Sequence, residues 1–229
     1  VAKYYYQNMQ IANMILVGDN TSIPSVNESF TNPDLAGPSD IAYAYINNGD
    51  HYPEFIVGRF SGETVEQISN IVNRSIAYEK TPNANGNWMG QQLGIASEQG
   101  TGDDNQFDYE HIHDIVDSNK NQYNYIGYYE LYDGVSSQGW LDAAGYPDAL
   151  MFENNVNSGV SLINYAGYGS TNGIVTTGFS TSEVPLLNNT DKLPFMFVVG
   201  CSPGRFQNQS CFAEALLRAG SSSIPLGTI

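Results

Sequence analysis

The sequence predicts an α/β fold, a mostly parallel sheet flanked by helices on both faces. Short apolar runs rich in β-branched and aromatic residues recur along the chain, as is typical of buried strands. Between these runs lie segments whose apolar residues repeat at helical spacing. Strands that alternate with helices favour βαβ units, in which the crossover helices cover both faces of a parallel sheet.

Six strands and four helices follow from these patterns. In the first helix, for example, Val65, Ile68 and Ile76 fall on one face at helical spacing. The strands are expected at residues 13–17, 54–60, 93–97, 125–132, 160–165 and 195–199. The helices are expected at residues 64–79, 109–119, 148–156 and 211–219.

One stretch predicts a boundary between two subdomains. Residues 81–87, TPNANGN, join a long helix to the next strand, and a polar segment rich in Pro, Gly and Asn can bend without burying unpaired amides. We expect residues 1–82 to be the end of an N-terminal α/β subdomain. We expect residues 83–229 to form a second subdomain, truncated at its C-terminal end because SSSIPLGTI stops as a strand-like segment begins.

The charge of the chain argues against nucleic acid as a partner. Only 8 Lys and Arg stand against 24 Asp and Glu, so the formal net charge of −16 repels a phosphate backbone and attracts cations or basic peptides. Calcium is a natural counter-ion for such a protein. No apolar run reaches the length of a membrane span, and the acidic, lysine-poor composition favours a secreted protein.

Two predicted strands end in segments with reactive content. The strand at 160–165 runs into AGYGS, and the strand at 195–199 runs into GCSPG, which contains Cys201. Functional groups gather at the carboxyl ends of parallel strands, where backbone amides are free to receive a developing oxyanion. This pattern favours Cys201 as a nucleophile, and the alternative is a small buried apolar residue. Cys211, inside an apolar helix, fits that alternative better.

Segments along nearly the whole chain resemble the gingipains, bacterial secreted cysteine peptidases with a caspase-like fold that cleave after basic residues. The resemblance implies a peptide or protein substrate, a secreted or cell-surface location of bacterial type, no cofactor for the chemistry, and structural calcium. It identifies residues 83–229 as the catalytic subdomain. The matching segments are LVGD at 16–19, DHY at 50–52, GRFS at 58–61, WMGQ at 88–91, IAS at 95–97, LINYAGYGS at 162–170, NTDKLPF at 189–195, VVGC at 198–201 and CFAEALLRA at 211–219.

The resemblance also exposes a departure in the catalytic residues. In the family a histidine between two glycines is the general base, and the cysteine follows 33 residues later; here Tyr168 occupies that place relative to Cys201. Imidazole titrates near neutrality, whereas a phenol is neutral at pH 7 and has little capacity as a base. The glutamate that orients the histidine falls by alignment on Gln99, with Glu98 one residue before it.

Other parts of the site match the family. Gly169 and Cys201 correspond to the residues whose backbone N–H groups form the oxyanion hole. Asp108 corresponds to the aspartate at the base of the pocket for a basic side chain, given a two-residue deletion in the preceding loop. The alternative interpretation of Asp108 is an acid at a helix N-terminus, favoured by the helix dipole.

Three hypotheses follow from this combination. The chain is an active endopeptidase that cleaves after basic residues, or a pseudopeptidase that binds a peptide or partner, or an active enzyme into which Tyr168 was introduced. The first hypothesis needs a base. Of the three histidines, His51 is expected in a loop, while His111 and His113 lie on a predicted helix and match family positions without a catalytic role.

Overall fold

The computed structural model describes residues 1–28, 37–47, 51–81, 86–102, 104–207, 209–221 and 223–229. The chain divides into two compact units, Val1–Ser69 with Phe206–Gln209, and Asn70–Arg205 with Ser210–Ile229. The division falls inside the second helix, whereas the sequence places a boundary at residues 81–87. Because residues 82–85 lie outside the described residues, that boundary stays a prediction.

The first unit is a small α/β assembly. Its two central strands pair in parallel, with Asn13 opposite Ile56 and Val17 opposite Phe60. A small core of Ala44, Ile46 and Phe55 lies in this unit. Its elements are α1 Ala2–Met9, β1 Asn13–Val17, β2 Val26–Glu28, β3 Gly37–Ser39, β4 Ile56–Phe60 and the start of α2 Val65–Lys80.

A buried arginine ties together the loops around β1 and β4. The Nε and Nη2 atoms of Arg59 donate to the two carboxylate oxygens of Asp40 at 2.6 and 2.7 Å. The same guanidinium donates to the backbone carbonyls of Gly18 at 2.8 Å and Ile23 at 2.9 Å. A two-point ion pair with further carbonyl acceptors satisfies most of the donors of this buried group.

The second unit holds a four-stranded, fully parallel sheet in the order β10-β7-β5-β6. Buried, β-rich runs form its strands, and the long crossovers that parallel pairing requires contain the helices. Its elements are β5 Gln91–Ala96, α3 Asp108–Gln122, β6 Gly127–Tyr132, α4 Ala149–Ser158, β7 Leu162–Ala166, β8 Gly169–Ser170, β9 Gly173–Ile174, β10 Phe195–Val199 and α5 Phe212–Arg218.

Helices cover both faces of this sheet. On one face, Phe152 of α4 and Phe212 of α5 belong to the same core cluster as Ile95 and Ile163 of the sheet. On the other face, Ile112 of α3 and its neighbour Val116 belong to a cluster with sheet residues. The predicted mostly parallel α/β fold is confirmed.

The structure contains every strand and helix that the sequence predicts, with ends shifted by at most three residues. The elements α1 and the two short hairpins β2–β3 and β8–β9 were not predicted. Strands of two or three residues are too short to show an alternating pattern, so only their pairing reveals them. No helix of the described part of the chain is long and apolar enough to cross a lipid bilayer.

Asp19, at the turn after β1, accepts hydrogen bonds whose contribution to the stability of the first unit can be measured. The Thr21 hydroxyl donates to both of its carboxylate oxygens, at 2.9 and 2.7 Å, and the Ser22 N–H donates at 3.0 Å. These hydrogen bonds, that of the Thr21 side chain foremost, lower the pKa of Asp19 to about 2. A carboxylate whose pKa is lower in the folded than in the unfolded state stabilises the fold fully at pH values above its unfolded-state pKa. This stabilisation is lost as the pH falls and the carboxylate takes up a proton in the folded state.

We therefore expect the stabilising effect of Asp19 to fall as the pH drops from about 4 towards 2. The Asp19→Asn variant should show a smaller decrease in urea midpoint than the unmodified chain over this interval. Thr21→Val, which removes the strongest hydrogen bond, should give an intermediate decrease. Parallel pH profiles for all three proteins would contradict the assignment.

Candidate active site

Tyr168 and Cys201 follow two paired strands, β7 and β10, at the carboxyl edge of the sheet. β7 and β10 pair in register up to Ala166 opposite Val199, and Gly167 N–H donates to the Val199 carbonyl at 3.0 Å. Beyond this pair the loops that carry Tyr168 and Cys201 leave the sheet at the same edge. The two positions that the sequence separates by 33 residues are thus brought to one edge of the sheet.

Close approach of backbone segments explains the glycines around these two residues. A Cβ atom at Gly200 would lie 2.9 Å from the Gly167 carbonyl oxygen and 3.5 Å from the Gly169 nitrogen. A Cβ atom at Gly169 would lie 2.6 Å from the Pro203 ring and 3.4 Å from the Cys201 nitrogen. The backbone nitrogens of Gly169 and Cys201 are therefore close neighbours, as the two donors of an oxyanion hole must be.

The two cysteines have opposite surroundings. Cys201 is exposed on the turn after β10, and Cys211 is buried at the start of α5. Burial raises the pKa of the Cys211 thiol, and a thiol that resists ionisation in an apolar site is unreactive. Cys201 is thus the accessible thiol of the two.

The end of β5 brings its own polar residues to the same edge. Ser97 N–H donates to the Ala166 carbonyl at 3.0 Å, so the chain beyond β5 still lies against β7. Gln99 N–H then donates to the Ser97 hydroxyl at 3.3 Å, and the side chains of Glu98 and Gln99 are exposed. At Gln99, the position of the family's orienting acid, the chain therefore presents an exposed amide.

Asp108 lies at the start of α3, where it accepts a hydrogen bond from the Ser97 hydroxyl. It lines an open cavity of about 370 Å³, together with Asn164, Phe197 and Val199. The side-chain nitrogen of Asn164 is buried and has no hydrogen-bond partner among the described residues. A carboxylate and an exposed apolar wall suit the charged head and methylene stem of a basic side chain. Asp108 thus lies both at a helix start and in a cavity wall, and its role in substrate binding stays a prediction.

The histidines on α3 are engaged elsewhere. His113 is buried, with Nδ1 2.6 Å from Glu130 Oε1 and its ring stacked on Trp140 at 3.6 Å between centroids. His111 is exposed and its Nδ1 lies 2.9 Å from Asp104 Oδ2. His51 belongs to the first unit, where its ring contacts Tyr45.

A set of buried and half-buried polar residues lies beneath the site and was not predicted from the sequence. The Tyr165 hydroxyl donates to the Tyr168 carbonyl, and its oxygen lies 3.4 Å from the Thr176 hydroxyl. Thr176 in turn donates to Asp133 Oδ2 at 3.3 Å, and burial raises the pKa of Asp133. The one signal in the sequence was a tyrosine within an apolar strand, because a buried phenol needs a hydrogen-bond partner.

Among the described residues, no group of three or more His, Cys, Asp or Glu side chains is arranged to hold a metal ion. Asp103, the neighbour of Asp104, lies outside the described residues. Structural calcium therefore stays a prediction.

The comparisons with known proteins agree with this geometry. The family model described as peptidase family C25 matches residues 1–228. Gingipain R2 of Porphyromonas gingivalis (strain ATCC BAA-308 / W83) is 36% identical over 231 residues, which are 99% of this chain and 29% of that relative. Lys-gingipain of the same species (strain ATCC 33277) is 25% identical over 185 residues, 79% of this chain and 10% of that relative.

A solved structure is similar over the same range. The crystal structure of the Arg-specific cysteine proteinase gingipain R matches with a TM-score of 0.86 and 33% identity, over 99% of this chain and 50% of that chain. The chain spans less than a third of the curated relatives it matches and about half of this solved structure.

The contrast between the two thiols predicts selective labelling. Iodoacetamide should alkylate Cys201 at least about tenfold faster than Cys211 at pH 7.5, because burial both shields the Cys211 thiol and disfavours its thiolate. Peptide mass spectrometry over time gives both rates in one sample. The Cys201→Ser variant should take up label only slowly, and equal rates at the two cysteines would contradict the structure.

Proposed function

This chain belongs to peptidase family C25, and from that premise we propose that it is the catalytic region of a cysteine endopeptidase that cleaves after basic residues. The observation that carries the proposal is the in-register pairing of β7 and β10, beyond which the Gly169 backbone comes close to the Cys201 nitrogen. The similarity to an Arg-specific proteinase and to Lys-gingipain supports basic specificity. We further propose a secreted or cell-surface location, as the acidic composition favours.

The chemistry begins with attack of the Cys201 sulfur on the substrate carbonyl carbon. The thiol proton leaves to water, a C–S bond forms, and the carbonyl electrons move to the oxygen beside the Gly169 and Cys201 amides. Collapse of this intermediate re-forms the carbonyl and breaks the C–N bond, and the amine leaves with a proton from water. Water then hydrolyses the thioester, which releases the peptide acid and restores the thiol.

The cavity at Asp108 supports a basic residue before the cleaved bond. The Asp108 carboxylate is one charge of the ion pair, and Phe197 and Val199 offer apolar surface to the side-chain stem. The formal net charge of −16 also raises the local concentration of basic peptides. The substrate we propose is therefore a peptide or protein with Arg or Lys at the cleaved bond.

A second function is favoured by Tyr168 itself. A phenol has little capacity as a base at neutral pH, and the exposed amide of Gln99 adds no carboxylate. General base catalysis typically contributes about 10² to 10⁴-fold in rate, so a site without a base turns over slowly. A pseudopeptidase that binds basic peptides without cleaving them uses the same pocket.

The Tyr168→His variant separates these two functions. We expect the rate of hydrolysis of an arginine peptide amide to rise by about 10²-fold or more, because an imidazole at this position takes the thiol proton. Hydrolysis is measured by release of a fluorescent amine, in the unmodified chain and in the variant. Cys201→Ala in both backgrounds is the matched control and should abolish the signal.

Labelling by an acylating inhibitor with a basic peptide completes the test. Rapid addition of mass at Cys201 of the unmodified chain would contradict the pseudopeptidase. Hydrolysis that appears only in the histidine variant supports it. Binding without labelling in either protein would indicate a binding module and overturn the peptidase proposal.

Asp108→Asn tests the pocket, in the Tyr168→His background. We expect KM for an arginine substrate to rise about tenfold or more, because the ion pair is lost, while a substrate with a neutral residue at that position is unaffected. Steady-state kinetics with both substrates give the comparison. Asp114→Asn, an exposed acid further along α3, is the control and should change neither value. Equal losses for both substrates would indicate a structural role through Ser97.

A further inference from the structure

We propose that Tyr165 is a positioning residue, which orients the oxyanion hole by holding the peptide group between Tyr168 and Gly169. This inference rests on the proposed peptidase function, because it gives the Gly169 N–H a role as an oxyanion donor. Tyr165 itself touches neither the nucleophile nor the substrate. Its effect is exerted through one backbone carbonyl.

That carbonyl is held by two donors. The Tyr168 oxygen accepts one hydrogen bond from the Tyr165 hydroxyl and a second from the Val175 N–H at 2.9 Å. A peptide group is planar, so the Tyr168 C=O and the Gly169 N–H point in opposite directions. Fixing the carbonyl on the side of Tyr165 and Val175 therefore fixes the N–H on the opposite side.

The Gly169 nitrogen lies close to the segment that carries Cys201. It lies 3.5 Å from the position of a Cβ atom at Gly200, the residue before Cys201. An oxyanion donor contributes most when its direction is set before the reaction, since no reorganisation is then needed as charge develops. The two donors on the Tyr168 carbonyl provide that preorganisation.

The phenol is itself held firmly. Tyr165 is 1% exposed and lies in the core cluster that includes residues of α4 and α5. Its oxygen has two acceptors in reach, of which the Tyr168 carbonyl is the closer, and Thr176 gives its own proton to Asp133. The Tyr165 proton is thus directed to the carbonyl.

The glycine at 167 makes room for this arrangement. A Cβ atom at Gly167 would lie 2.9 Å from the Tyr165 hydroxyl oxygen and 3.2 Å from the Thr176 hydroxyl oxygen. Any side chain there would push the phenol away from the carbonyl. The AGYG segment therefore contains both the carbonyl that is held and the space for the group that holds it.

The Tyr165→Phe variant tests the inference with two ligands on the otherwise unmodified chain. An arginine peptide aldehyde adds the Cys201 thiol across its C=O: the C–S bond forms, and the thiol proton ends on the former carbonyl oxygen, which lies at the hole. The corresponding peptide alcohol binds the pocket without this step. We expect the aldehyde dissociation constant to rise about tenfold and that of the alcohol to change less than about twofold.

A matched control and a milder variant accompany it. Tyr132→Phe removes another phenol that is fully buried and donates to a carboxylate, Glu130 Oε1 at 3.1 Å, and should leave both dissociation constants unchanged. Thr176→Val, which loosens the phenol without removing it, should weaken aldehyde binding by a smaller factor. Equal weakening of aldehyde and alcohol, or no weakening of the aldehyde, would overturn the inference.

A measurement without any ligand separates this inference from the proposed function. The residual dipolar coupling of the Gly169 N–H reports the direction of that bond, and it should change in Tyr165→Phe but not in Tyr132→Phe. An unchanged coupling would overturn the positioning role. If the unmodified chain binds neither ligand, the peptidase proposal fails, and the dipolar coupling alone decides whether Tyr165 orients the peptide.

Discussion

The parallel register between β7 and β10 is the constraint on which the site depends. Neither strand end carries a complete site: one supplies Tyr168 and Gly169, and the other supplies Cys201. The hydrogen bond from Gly167 N–H to the Val199 carbonyl, at 3.0 Å, carries the register beyond the sheet and into both loops. A slip of one residue would turn every side chain of a strand to the other face, so the burial of Ile163 and Tyr165 on β7 protects the register and with it the site.

Glycine sets how closely the loops beyond the strands approach each other. At Gly167, Gly169 and Gly200 a Cβ atom would collide with a neighbouring hydroxyl, ring or carbonyl oxygen. Without side chains, the two backbones approach closely enough for their amides to share one space around the nucleophile. The buried hydroxyl of Tyr165 also reaches this region, where it donates to the Tyr168 carbonyl.

Under the proposed function, the site combines an intact scaffold with an altered base. The scaffold consists of backbone geometry, an exposed thiol and the pocket at Asp108, all of which follow from the fold. The base depends on one side chain, and a phenol stands in its place. Backbone-dependent parts of an active site survive changes of sequence that remove a side-chain role, because the packing that holds the backbone also stabilises the domain.

The sequence alone determined the order and type of the long strands and helices. Burial of one face makes apolar residues recur about every two residues in a strand and about every 3.6 residues in a helix, and this pattern is visible in the local sequence. It also determined the family, and it singled out Cys201 and predicted that Tyr168 takes the place of the base, because these rest on residue identities at fixed separations. Only the tertiary structure decided which groups meet across strand ends: the closeness of Gly169 to the Cys201 backbone, the engagement of His113 with Glu130, and the hold of Tyr165 on the Tyr168 carbonyl. Those contacts join residues from different segments. Hydrogen bonds between such segments do not produce a regular spacing of residue types, so they cannot be predicted from the sequence pattern.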